Sequence, residues 1–187
     1  MPARRAVVVM GVSGSGKSSV GAALAAGLGL AFRDADALHA PEAVAKMARG
    51  VPLEDADRWP WLDRVGAVLA AGDGHPAGVV VACSALKRAY RDRLRAAAPS
   101  LRFVFLDGDA ATLAARLATR PGHYMPASLL ASQLATLERP SAEEGDVVRV
   151  DVGASLDAVV RRAEEGLAQR AAGDNAPAVR RTRAGSP

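Results

Sequence analysis

The sequence predicts an α/β fold, a five-stranded parallel sheet with helices on both faces. Short apolar runs alternate with helical stretches about five times along the chain. The apolar runs are continuous, as strands buried on both faces must be. Glycine, proline or aspartate stands at nearly every junction. At 187 residues, 50% hydrophobic and 24% charged, the chain has the size and composition of one globular domain.

The elements follow in order. Residues 6–10, Ala-Val-Val-Val-Met, form the first buried strand and end at Gly11. Residues 17–28 are alanine-rich and helical, with Val20, Leu24 and Leu28 on one face and Gly29 as the C-cap. A second strand, 30–33, runs into Asp34-Ala35-Asp36. Pro41 suits the first turn of a helix to Arg49, closed by Gly50, and a further helix is predicted over 59–71. The third strand is 79–82, followed by a helix over 86–98 with a basic outer face. The fourth strand is 101–106, and Asp109 caps a helix to Arg120. Pro121 to Pro126 breaks the pattern. A helix over 128–137, a strand over 147–151 and a closing helix over 155–169 complete the chain.

Composition excludes several function classes. Of the net charge of +4, residues 170–187 supply +3, four arginines against Asp174, so the body 1–169 is close to neutral. That tail reads as a disordered basic appendage. A near-neutral body with two Trp, two Tyr and three Phe lacks the basic, aromatic face that nucleic-acid binding needs. No apolar run approaches the roughly 18 residues of a membrane span, and no secretory leader is recognisable. The lone Cys83 allows no internal disulfide, and the expected location is cytoplasmic. Only Lys17, Lys46 and Lys87 break the chain's use of arginine, which marks each as a position where a flexible point charge could be needed.

Gly11-Val12-Ser13-Gly14-Ser15-Gly16-Lys17-Ser18 matches G-x-x-x-x-G-K-[ST], with a buried strand before it and a helix after. The glycines let backbone N–H groups turn inward to phosphate oxygens, and the helix N-terminus adds its open donors. This predicts the P-loop NTPase fold and a nucleotide held by Gly11 through Ser19. Lys17 would reach the β- and γ-phosphates of ATP and Ser18 would ligate Mg²⁺. Asp34 and Asp36, at the end of the second strand, are expected to share a face and meet the same crevice. One could hold the metal and the other accept a hydroxyl proton, or both could merely cap the loop.

Several further blocks resemble the gluconokinases of the shikimate-kinase-like group. They are Asp34-Ala35-Asp36-Ala37-Leu38-His39, Lys46 through Leu53, Asp55 through Leu62, Cys83-Ser84-Ala85-Leu86-Lys87 through Arg95, Gly122-His123-Tyr124-Met125, and Gln133 through Glu138. They lie in order and cover roughly 6–168. The resemblance implies ATP-dependent phosphorylation of D-gluconate at its 6-hydroxyl, giving 6-phosphogluconate and ADP, by a kinase domain over 1–169. An acceptor segment at about 37–75, a mobile lid at about 120–127 and a homodimer are implied with it. Ala35 stands where many members have glycine, which a negative φ would tolerate.

Gluconate is a small anionic polyol, so its site needs cations and hydrogen-bonding groups. The candidates are Asp36, His39, Lys46, Arg49, Arg58, Lys87, Arg91 and His123, with Lys87 and Arg91 four apart on one helix face. Asp36 is the expected base and Asp34 the metal ligand beside Ser18. Arg120 is expected to stabilise transition-state charge, with Arg116 on the nucleotide. Trp59 and Trp61 could pack a helix start or contact the sugar. Cys83 reads as a small buried residue, since phosphoryl transfer needs no thiol. Shikimate or nucleotide kinases, and a regulatory P-loop ATPase with Asp107 as its metal-holding strand-end carboxylate, are the alternatives.

Overall fold

The structure, a computed structural model, describes residues 5–118 and 127–174. The strands are β1 (Arg5–Met10), β2 (Ala31–Asp34), β3 (Gly78–Ala82), β4 (Arg102–Asp107) and β5 (Val147–Asp151). All pair in parallel, in the order β2-β3-β1-β4-β5. The helices are α1 (Lys17–Leu28), α2 (Pro41–Ala48), α3 (Asp55–Ala71), α4 (Arg88–Ala97), α5 (Ala110–Ala118), α6 (Ala127–Thr136) and α7 (Leu156–Asp174). A 3₁₀ turn, Ala35–Leu38, follows β2.

Successive strand residues face opposite sides, and the core divides accordingly. Ala6, Val8 and Met10 of β1 join Val79, Val81, Phe103 and Phe105 beneath Trp61, Leu62, Val65, Tyr90 and Leu94 of α3 and α4. Val7 and Val9 join Val80, Val104 and Val148 beneath Val20 and Leu24 of α1 and Val159 and Leu167 of α7. The continuous apolar runs are therefore the signature of a sheet covered on both faces. A third, smaller cluster joins Val12, Leu86, Leu113 and Leu130.

Register sets the site. Val9 of β1 and Asp34 of β2 both pair with Ala82 of β3, so the three strands end nearly level. The loop from Gly11, the Asp34–Asp36 turn and the segment after Ala82 consequently open on one edge, the carboxyl edge where parallel sheets bind ligands.

Three boundaries differ from expectation. α3 begins at Asp55, not near Trp59, because Glu54 and Asp57 form a reciprocal capping box, with Glu54 N–H donating to the Asp57 carboxylate at 2.8 Å. Pro60 lies inside that helix rather than opening it. α4 begins at Arg88, and Lys87 is its extended N-cap, φ −93° and ψ 149°. α7 runs to Asp174, past the expected end at 169. No helix among the described residues is long and apolar enough to cross a membrane.

Candidate active site

A cleft of about 450 Å³ lies at the carboxyl edge, lined by Ser13 through Ser19, Asp34, Asp36 and Arg116. Its lining also includes the apolar Val152, Ala154 and Leu156. Two glycines shape the loop. A Cβ on Gly11, φ +152°, would stand 2.7 Å from Ser15 Oγ and 2.9 Å from the Leu106 carbonyl. Gly16 begins α1 at φ 89°, a left-handed conformation that side chains resist, and no side chain caps the helix behind it. The first N–H groups of α1 thus face the cleft as anion donors. Lys17 Nζ donates to the Val12 carbonyl at 3.1 Å, folding its charge over the loop. The buried Ser15 hydroxyl has no partner among the described residues.

Asp34 and Asp36 both line the cleft, but not because they share a strand face. β2 stops at Asp34, which caps the 3₁₀ turn by accepting from Asp36 N–H at 3.0 Å. Its other oxygen accepts from Ser18 Oγ at 2.6 Å. A hydroxyl and a carboxylate in contact beside a phosphate loop are the hard oxygen ligands that Mg²⁺ takes together with substrate phosphates. No cluster of three or more His, Cys, Asp or Glu side chains that could cage a metal occurs among the described residues. The residues present therefore fit a metal shared with phosphates. The Asp36 carboxylate is exposed and accepts no hydrogen bond among the described residues.

His39 stacks on Trp61, ring centroids 4.4 Å apart and planes within 8°. Trp61 is itself core, 1% exposed, and donates to the Ala35 carbonyl at 2.7 Å. It is thus a platform for His39 and not itself exposed to a sugar. Ala35 has no positive φ, so it replaces glycine without strain. Burial lowers the His39 pKa, and the Arg58 and Arg64 guanidiniums add to this while the Asp36 carboxylate opposes it. The ring is therefore neutral near pH 7, one nitrogen a donor and the other an acceptor. Arg58, half-buried, lies 5.8 Å from the Tyr90 ring centroid and makes no ion pair among the described residues.

The other expected cations are largely committed. Lys87 Nζ donates to both Asp55 oxygens at 2.8 and 3.0 Å, and Tyr90 OH donates to Asp55 at 2.5 Å. The hydrogen bonds from Lys87 first and from Tyr90 next hold the Asp55 carboxyl below its ordinary range. Lys46 pairs with Asp57 at 2.6 Å. Arg49 is exposed at the end of α2.

Arg91 is not a substrate ligand. It is 1% exposed and forms a two-pronged pair with Glu144, both bonds 2.7 Å, while its third nitrogen donates to the Ala85 and Leu86 carbonyls. Lys87 and Arg91 do not share a helix face, because Lys87 stands before the helix in extended conformation. Ala85 turns the chain there at φ 43°. Arg95 completes the Glu144 network and reaches Asp146, so it is not the solvated residue its basic helix suggests.

Arg116 lines the cleft and donates to the Val152 carbonyl. Asp107, at the end of β4, is paired with Arg139 and Arg149 and is not among the residues lining the cleft. Cys83 is 1% exposed, and burial pushes its thiol up to about 12, so it is inert. Arg120, His123 and the expected lid lie outside the described residues. Sequence reasoning did not single out Asp55, Tyr90 or the apolar Val152, Ala154 and Leu156. Asp55 and Tyr90 fall inside blocks of the resemblance without being marked as partners, although the capping box could have flagged Asp55 as the start of a helix.

The family described as AAA domain matches residues 7–140. The thermosensitive gluconokinase of Escherichia coli (strain K12) is 44% identical over 161 residues, 86% of this chain and 86% of that protein. The gluconokinase of Gluconobacter oxydans (strain 621H) is 51% identical over 150 residues, 78% of this chain and 82% of that one. A crystal structure of a gluconokinase from Sinorhizobium meliloti 1021 superposes with a TM-score of 0.83 at 53% identity, covering 91% of this chain and 97% of that one. The shikimate kinase of Aquifex aeolicus vf5, at 18% identity and TM-score 0.53, shares the fold alone. With a phosphate loop and two carboxylates gathered on one sheet edge, and these likenesses spanning most of its length, the chain belongs to the gluconokinase family.

Proposed function

We propose that this chain transfers the γ-phosphoryl group of ATP to the 6-hydroxyl of D-gluconate, giving 6-phospho-D-gluconate and ADP. One observation supports the mechanism: the Asp36 carboxylate, unbonded among the described residues, lines the same cleft as Ser13 through Ser19 of the loop, while Asp34 is already committed to Ser18. The loop N–H groups and Lys17 would cradle the phosphates, with Arg116 and the apolar Val152, Ala154 and Leu156 beside the base. Ser18 and Asp34 would hold Mg²⁺, which when bound neutralises charge on the phosphates. Asp36 would accept the 6-hydroxyl proton as the C6 oxygen bonds to phosphorus and the bond to the ADP oxygen breaks.

Arg58 is the cation best suited to the gluconate carboxylate, because among the described residues its charge is not matched by an acid. Neutral His39 would donate to or accept from a hydroxyl. Lys87, steered by Asp55 and Tyr90, and Lys46, steered by Asp57, would line the rim. Arg49 and, from the segment beyond the described residues, His123 and Arg120 are carried as further expectations of the resemblance. A homodimer is a further expectation of the resemblance, while the arginine-rich tail beyond Asp174 and a cytoplasmic location are expectations of the composition, the last in keeping with a single cysteine.

The test is ADP release with ATP and Mg²⁺ in the presence of D-gluconate, shikimate, AMP or no acceptor. Turnover with D-gluconate alone supports the proposal. Equal release in every reaction overturns it in favour of an acceptor-independent ATPase.

A further inference from the structure

One side chain on α6 breaks the apolar pattern of its helix. Leu130, Leu134 and Leu137 recur at i, i+4 and i+7 and pack with Val12, Leu86 and Leu113. Gln133 lies on the same stripe, half-buried, where a leucine would serve packing better. Its partner explains it. Gln133 Oε1 accepts the Ser13 backbone N–H at 2.7 Å, across 120 residues of sequence. The orientation of the amide is fixed by this contact, since an N–H must meet the carbonyl oxygen and not the NH₂.

Ser13 is the third residue of the phosphate loop, between Val12, which is anchored in the small core, and Gly14. The Val12 carbonyl already closes the loop's first turn, accepting from Ser15 N–H at 3.2 Å and from Lys17 Nζ at 3.1 Å. Gln133 holds the N–H next to that carbonyl. The end of the same helical segment is clipped to the acceptor side. Glu138 N–H donates to the Leu86 carbonyl at 2.9 Å, and Glu138 Oε2 accepts Arg88 N–H at 2.7 Å, capping α4. Residues 133–138 therefore bridge the nucleotide loop and the N-terminus of the helix that follows Lys87.

We propose that Gln133 is a positioning residue for phosphoryl transfer: by holding Ser13 N–H it fixes the entry of the phosphate loop relative to α6. Its contribution acts through the loop and falls on ATP rather than on gluconate. The inference rests on the loop binding ATP as proposed above.

The experiment is Gln133→Met in the full chain. Methionine fills the same space, suits the leucine stripe and offers Ser13 no comparable acceptor. The expected result is an equal or higher Tm, a KM for D-gluconate within twofold of wild type, and a kcat/KM for ATP reduced tenfold or more. Unchanged kinetics would overturn the proposal. So would equal losses for both substrates with a lowered Tm, which is the signature of packing alone. Amide exchange at Ser13 in the nucleotide-free wild type is read beside it and needs no variant. Slow exchange is expected, and exchange at the rate of an open loop overturns the proposal even if the methionine variant does not fold. Absence of ATP turnover in the wild type would instead overturn the proposed function, a separate result.

Discussion

On the nucleotide side of the proposed site the recognising groups would be mostly backbone, the N–H donors of Gly14 and of Gly16 through Ser19, with Gly14 and Gly16 at φ 81° and 89°. On the proposed acceptor side they would be charged side chains drawn from α2, α3 and the start of α4, two of them already paired: Lys46 with Asp57 and Lys87 with Asp55. The first kind of site depends on local chain geometry. The second depends on which charge lies near which after folding. A triphosphate offers the same oxygens to every P-loop enzyme, so a fixed backbone cradle suffices. A sugar acid must be told from its relatives, which calls for positioned side chains.

Breaking each side in turn should separate the two, and the largest loss is expected at the loop. Lys17→Ala should lower kcat by about 10³-fold or more, since preorganised charge on the transferring group is lost. The far-ultraviolet circular dichroism spectrum should be unchanged. Asp36→Asn comes next, with kcat reduced about 10²- to 10⁴-fold and the KM for ATP within threefold. If the ATP KM rises and kcat holds, Asp36 belongs to the nucleotide side.

Arg91 and Glu144 sharpen the comparison from the other direction, because here an arginine near the acceptor side supports the fold alone. Removing either partner should destabilise by about 3–5 kcal/mol in urea unfolding, the cost of leaving a buried charge unpaired. Burial by itself would raise the Glu144 carboxyl, but hydrogen bonds from Arg91 and Arg95 outweigh it and hold it at about 2, below the usual 4.5. A depressed folded-state pKa contributes stability that is present above pH 4.5 and is lost as the pH falls toward 2. Glu144→Gln should flatten the acid limb of the stability profile in that window. A limb as steep as wild type would place the acid sensitivity elsewhere. The smallest effect is expected at Arg58. Arg58→Ala should raise the KM for D-gluconate about tenfold, the value of one charge-assisted contact, and leave the KM for ATP unchanged.

How much of this was legible in the sequence follows the same division. The strand, loop and helix around Lys17 were readable because the motif is local, and α1 spans Lys17–Leu28 with Gly29 as its cap, as expected. The sheet was readable because each strand is apolar on both faces. The acceptor side was read less well. Arg91 looked like a site residue because its partner Glu144 lies 53 positions away and leaves no local trace. The shared face of Lys87 and Arg91 failed on a two-residue shift of a helix start. Asp34 and Asp36 both line the cleft, but from a capped turn and not from a shared strand face. The helix start at Asp55 was hidden by Pro60, although the Glu54–Asp57 capping box was there to be read. Gln133 was noticed only as part of a block, since nothing in its own helix announces a partner in the phosphate loop.

The most direct measurement is the phosphorus NMR spectrum of the product formed from ATP, Mg²⁺ and D-gluconate. The 6-carbon is the acceptor's primary alcohol carbon and bears two hydrogens. Transfer to its oxygen predicts a phosphomonoester resonance split into a triplet, with ADP appearing in equal amount. A doublet would put the phosphoryl group on a secondary hydroxyl and contradict the placement of the acceptor against Asp36. Inorganic phosphate with no ester signal would contradict the kinase assignment itself.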